Sequence, residues 1–144
     1  MIFEKLPKAN SDDKEHLFAL VDLIVKMAEK ARREGILALE EKLYDDDFLP
    51  SGCGEKENFL IRQLFRMLCD GIEGTLIAEF ARNYVESVNA ADEKDPSLLA
   101  LMIGTTGILR IQEGVNPNVG GQCLAAMMGH PLCEEYIETH LSKD

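Results

Sequence analysis

Apolar residues recur every three or four positions along nearly the whole chain, and this period restricts the fold more than any other feature. In "NSDDKEHLFALVDLIVKMAEKA", residues Leu17, Leu20, Ile24, Met27 and Ala31 fall on one side of an α-helix. Asn10 or Ser11 can cap its start, and Asp12 and Asp13 suit the positive end of the helix dipole. The pattern runs on through Ile36, Leu39 and Leu43, then stops at "DDDFLPSGCG", where Pro50, Gly52 and Gly54 signal a loop. A second helix fits "EKENFLIRQLFRMLCDG", with Phe59 or Leu60, Leu64 and Leu68 facing inward and Gly71 as its stop. A third fits residues 73–89, with Leu76, Phe80, Tyr84 and Val88 on one stripe. After the polar connector "NAADEKDP", residues 97–112 fit a fourth helix, loosened by Gly104, Thr105, Thr106 and Gly107. "EGVNPNVGG" reads as a second loop. Two short helices follow near 119–129 and 132–141, with Pro131 suited to the first turn of the last. There is no run of β-branched alternation and no hairpin turn between such runs. The expected fold is therefore all-α, with residues 1–144 forming a single compact domain of about five or six helices.

Composition limits the partners. The chain has 144 residues, 46% of them hydrophobic and none of them Trp, so aliphatic side chains must supply most of the core. The formal net charge of −11 disfavours nucleic acid and anionic lipid and favours a basic partner. The opening "MIFEKLPKAN" lacks the apolar core of a signal peptide. "SLLALMIGTTGIL", residues 97–109, falls short of the roughly 20 apolar residues of a membrane span. The expectation is a cytoplasmic chain, without membrane insertion, whose four cysteines are reduced thiols.

Few motifs carry chemistry. Cys123, His130, Cys133 and His140 are of types that bind zinc. Their spacings match no common structural zinc pattern, so the preferred reading is a helix cap, a buried thiol and a solvated C-terminal histidine. These four residues define the alternative function, a small metal- or ligand-binding protein or an enzyme. "EGVNPNVGGQC" is glycine-rich but lacks the lysine and spacing of a P-loop. "YDDDF" lacks the ligand spacing of a calcium loop and reads as a solvated helix end.

The segment "EKARREGILALEEKL" poses a different question, because Gly35 interrupts a good helix former at a cost of about 1 kcal/mol relative to Ala. If the helix continues, Ala28, Ala31, Gly35 and Ala38 make a small-residue seam that lets another helix approach closely, offsetting that cost. Arg32 and Arg33 on one side, with Glu40 on the other, would then offer a basic and an acidic contact about 10 Å apart.

This segment also resembles the stretch after the second transmembrane helix in the flagellar stator family MotA, within the MotA/TolQ/ExbB proton channels. Arg32, Glu34, Gly35, Leu39 and Glu40 match the family pattern there. "LCDGIEGTLIAEFARN" resembles the family's next landmark at Asp70 and Gly71. "LALMIGTTGIL" resembles the entry to its third membrane helix, and "NPNVGGQCLAAMM" sits where the family often has a Pro, a Gly and an Ala-rich helix. Asp22 and Lys26 in the first helix, and Arg110, Gln112 and Glu113 after "GTTGIL", depart from membrane helices. The resemblance implies a cytoplasmic-domain-like module with no ion channel, no cofactor and no enzymatic activity. It also implies a protein partner, either a component of the flagellar rotor or a second copy of the chain. The family's rotor-contacting charges fall on Arg32 and Glu40, with Arg33 beside them.

Overall fold

The computed structural model describes residues 3–92 and 94–141. Among them are six α-helices, two 3₁₀ segments and no strand: α1 Lys14–Glu34, α2 Glu55–Cys69, α3 Gly74–Ala91, α4 Leu98–Gln112, α5 Pro117–Ala126 and α6 Leu132–His140. The 3₁₀ segments are Ser11–Asp13 and Ile36–Tyr44. The fold is all-α, as the periodicity requires. No helix is long and apolar enough to cross a membrane among the described residues.

The centre is α4. Twelve of its fifteen residues are buried, so it has no polar face, as expected of a helix enclosed on all sides. It packs against α1, α2, α3 and α5. Its glycines do not loosen it; they let neighbours in. A Cβ on Gly107 would stand 2.7 Å from Ile24 Cγ2 in α1, and one on Gly104 would stand 2.9 Å from Ile61 Cγ1 in α2. Thr105, fully buried, satisfies its hydroxyl by donating to Leu101 O at 2.8 Å.

Around this axis α1 buries Leu17, Leu20, Ile24 and Met27, and α2 buries Leu60, Leu64 and Leu68 while Phe59 stays half exposed. Asp13 stands at the start of α1, its N–H donating to Asn10 O, while the Ser11 side chain lies outside those described. The α3 stripe differs from expectation by one position. Ile77, Ala81, Val85 and Val88 face the core, while Leu76 is 51% exposed and Phe80 and Tyr84 are half-buried. The bulky apolar residues flank the true contact line, which smaller residues occupy so that α3 can sit close to α4. The second loop is also shorter than expected. Asn116 caps α5, accepting from the N–H of Asn118 and Val119, and Pro117 takes the first helical position, so the helix begins inside "NPNVGG".

Helix α6 docks on α1 through a polar triplet. Tyr136, fully buried, donates its hydroxyl to Asp22 Oδ1 at 2.7 Å, and His140 Nδ1 lies 2.9 Å from Asp22 Oδ2. Burial, reinforced by Asp22, pushes the Tyr136 hydroxyl well above its usual range. Phe18 meets both rings edge-on.

Candidate functional site

The helix does not continue through Gly35. That residue adopts φ 91° and ψ 158°, a region essentially closed to residues with a Cβ, and the chain turns there from α1 into the 3₁₀ segment. Its N–H still closes α1 by donating to Ala31 O at 2.8 Å, and its carbonyl opens the next segment by accepting from Ala38 N–H at 3.2 Å. Nothing lies within 4 Å of a Cβ built on Gly35. The expected seam of Ala28, Ala31, Gly35 and Ala38 is thus not one surface. Ala28 and Ala31 are half-buried beside Ile111 and Val115, Ala38 belongs to the 3₁₀ turn, and Gly35 is exposed. Conformational freedom explains the glycine; close helix packing occurs instead at Gly104 and Gly107.

The 3₁₀ segment Ile36–Tyr44 runs for nine residues, more than the three or four usual for this geometry. Leu39 and Leu43 pin it to the core. Arg62 of α2 holds its far end, donating to Leu43 O and, at 3.1 Å, to Asp45 O, with its guanidinium over the Phe48 ring. Lys30 ties the near end, reaching Glu34 at 3.2 Å and Glu41 at 3.5 Å. Other side chains of the segment are open to solvent. Leu37 is 71% exposed and Tyr44 69%, the two most exposed large hydrophobic residues among those described. Glu40 is exposed on the same segment. Arg32 and Arg33 are exposed just before the turn, but they border different depressions. Arg32 faces Ile36, Ile111 and Val115, whereas Arg33 faces Lys42, Asp45 and Asp47. The charges therefore flank an elbow and do not share one helix face.

The C-terminal candidates do not assemble. Cys123 and His130 are exposed, Cys133 is half-buried, and His140 is engaged by Asp22. A different group does meet: His16 at the start of α1, Cys53 in the loop before α2 and Glu57 in the first turn of α2. His16 Nε2 lies 2.6 Å from Glu57 Oε2. Burial, with the charge and hydrogen bonding of Glu57 adding to it, pushes the Cys53 thiol up to about 12, which makes it a poor nucleophile while free. Beside this group a cleft of about 510 Å³ opens, edged by Asp12, Asp13 and the Lys56–Asp95 ion pair. Asp95 also accepts from the Ser97 N–H at 2.9 Å and the Ser97 hydroxyl at 2.6 Å; Lys56 first, then Ser97, holds its carboxyl at about 2. His16 and Glu57 are 41 residues apart, so local spacing gives no sign of their meeting. The pair Cys53 and Glu57, four apart across a glycine-bounded helix start, was the one local cue.

Comparisons with protein-family models, with curated proteins and with solved structures each found no match to this chain.

Proposed function

We propose that this chain is a non-enzymatic helical interaction module, similar to the cytoplasmic domain of MotA-family stators, that docks on a rotor-type protein through the elbow at Gly35. The observation that carries the reading is the placement of Leu37 and Tyr44. Among the described residues, the two most exposed large hydrophobic side chains lie on the segment that bears the family-like motif. Leaving such side chains in water costs free energy that burial against a partner recovers, about 1.5–3 kcal/mol for a fully buried leucine. Arg32 and Arg33 before the turn and Glu40 after it supply charges of both signs on either side of the elbow. The complementary surface is an apolar socket with an acidic group on one side and a basic group on the other. The turn at Gly35 supports the same reading, because Leu39 and Leu43 in the core and Arg62 at the far end hold the segment at an angle to α1.

The test is a binding measurement between the purified chain and the purified rotor switch protein of the source organism, at low and high salt. Wild type should bind. Arg32→Glu and Glu40→Lys should each slow association, an effect that raised salt mimics, and a matching charge reversal on the partner should restore it. Both variants should keep their stability within about 0.5 kcal/mol, as exposed substitutions do. Absence of wild-type binding, or undiminished binding by both folded variants, would refute the docking surface.

A further inference from the structure

We propose that His16, Cys53 and Glu57 form a binding site for a divalent transition-metal ion of the zinc class, which clips the loop before α2 onto α1. Three separate elements each deliver one donor, and the donor atoms all lie within 4.8 Å of one another. At zinc bond lengths of about 2.0–2.3 Å, tetrahedral donors stand about 3.3–3.8 Å apart. The His16–Glu57 contact of 2.6 Å must therefore open by only about 1 Å to admit an ion. A nitrogen, a sulfur and one carboxylate oxygen suit zinc, cobalt or copper, whereas calcium and magnesium require oxygen donors. Three protein ligands leave a fourth position for water, supplied from the adjoining cleft.

Two further features bear on how an ion would be held. His16 Nδ1 is buried with no hydrogen-bond partner, the only such side-chain atom among the described residues. That nitrogen is not the one facing Glu57, so no hydrogen bond at this end anchors the ring against the small movement at Nε2 that an ion needs. The Glu57 side chain is 7% exposed, and His16 and Cys53 now offset its lost hydration; a directly bound cation would take over that role. Gly52 shapes the site as well. A Cβ there would stand 2.7 Å from His16 Nδ1, so a side chain at this position would push the ring away from its present place. As the ion takes the sulfur, the Cys53 thiol gives its proton to solvent. None of these residues belongs to the elbow, so the metal site and the docking reading stand or fall separately.

The experiment titrates cobalt(II) into the metal-free, reduced, full-length protein and follows thiolate-to-cobalt absorption. One equivalent should bind, zinc should displace it, and Cys53→Ser should remove the band. Glu57→Gln and His16→Gln should each weaken affinity by more than about tenfold, since outer-sphere partners alone are worth 10–100-fold. Cys123→Ser and Cys133→Ser should leave the band unchanged. A measurement on wild type needs no variant to fold: zinc should protect Cys53, and not Cys123, from alkylation read by mass spectrometry. No cobalt band in wild type, a band that survives Cys53→Ser, or alkylation of Cys53 indifferent to zinc would each overturn the site.

Discussion

Replacing Gly35 with alanine separates an elbow from a continuous helix by the sign of the stability change. In a continuous helix, Gly35→Ala would stabilise the protein by about 1 kcal/mol through helix propensity alone. At φ 91° and ψ 158° the residue is not helical, and that gain is not available. A Cβ in this region costs about 1–3 kcal/mol of backbone strain. Restricting the unfolded chain returns about 0.4–1 kcal/mol. Neighbours contribute nothing, because no atom lies within 4 Å of the new Cβ. The net expectation is a loss of up to about 2.5 kcal/mol at an exposed position, where most substitutions change stability by less than about 0.5 kcal/mol. Equilibrium urea unfolding, followed by helical circular dichroism, measures it. The midpoint should fall with the slope unchanged. A midpoint that rises would show that α1 runs into the following segment and that the elbow does not exist.

Two further perturbations test the interior and the acid limit. Gly107→Ala should lose about 1–2 kcal/mol in the same urea assay, because overpacking against Ile24 and Leu124 outweighs the helix-propensity gain; stabilisation would mean α1 and α5 are not seated on α4 at this glycine. Asp95 is held at about 2 against 3.8 when free, so its contribution is complete above about pH 4 and fades as the pH falls toward 2. Because Lys56 is 47% exposed, that contribution is discounted to about 1–2 kcal/mol. Asp95→Asn should flatten this part of the acid-unfolding curve, and an unchanged curve would remove the Lys56–Asp95 pair from the stability account.

Periodicity revealed the helices wherever one face alone is buried. Leu17, Leu20, Ile24 and Met27 declare α1 because its other side is polar, and Leu60, Leu64 and Leu68 do the same for α2. In α3 the size of Leu76, Phe80 and Tyr84 drew the stripe one residue away from Ile77, Ala81 and Val85, since a sequence shows hydrophobicity but not which apolar residues must be small enough for close packing. Helix α4 has no face to read, being apolar all round, and the purpose of Gly104 and Gly107 depends on Ile61 and Ile24, which come from other helices. The start of α5 was legible in principle. Asn116 before Pro117 is a cap followed by a favoured first helical residue, but the neighbouring glycines made the stretch read as a loop. Gly35 drew attention as an anomaly, yet its reason lies in a backbone angle that no side-chain pattern encodes. The meeting of His16, Cys53 and Glu57 depends wholly on how α1 and α2 are brought together.

The docking reading is tested most directly by a photo-crosslinking amino acid placed at Leu37 in the living source organism. Leu37 is 71% exposed, so the replacement should leave the fold intact, and Val119, 48% exposed on α5, provides the control position. The expected result is a crosslink from position 37 to the rotor switch protein, absent from position 119 and reduced by Glu40→Lys. Crosslinks from position 37 only to a second copy of the chain, or to the switch protein equally from both positions, would contradict the elbow as the rotor-docking surface.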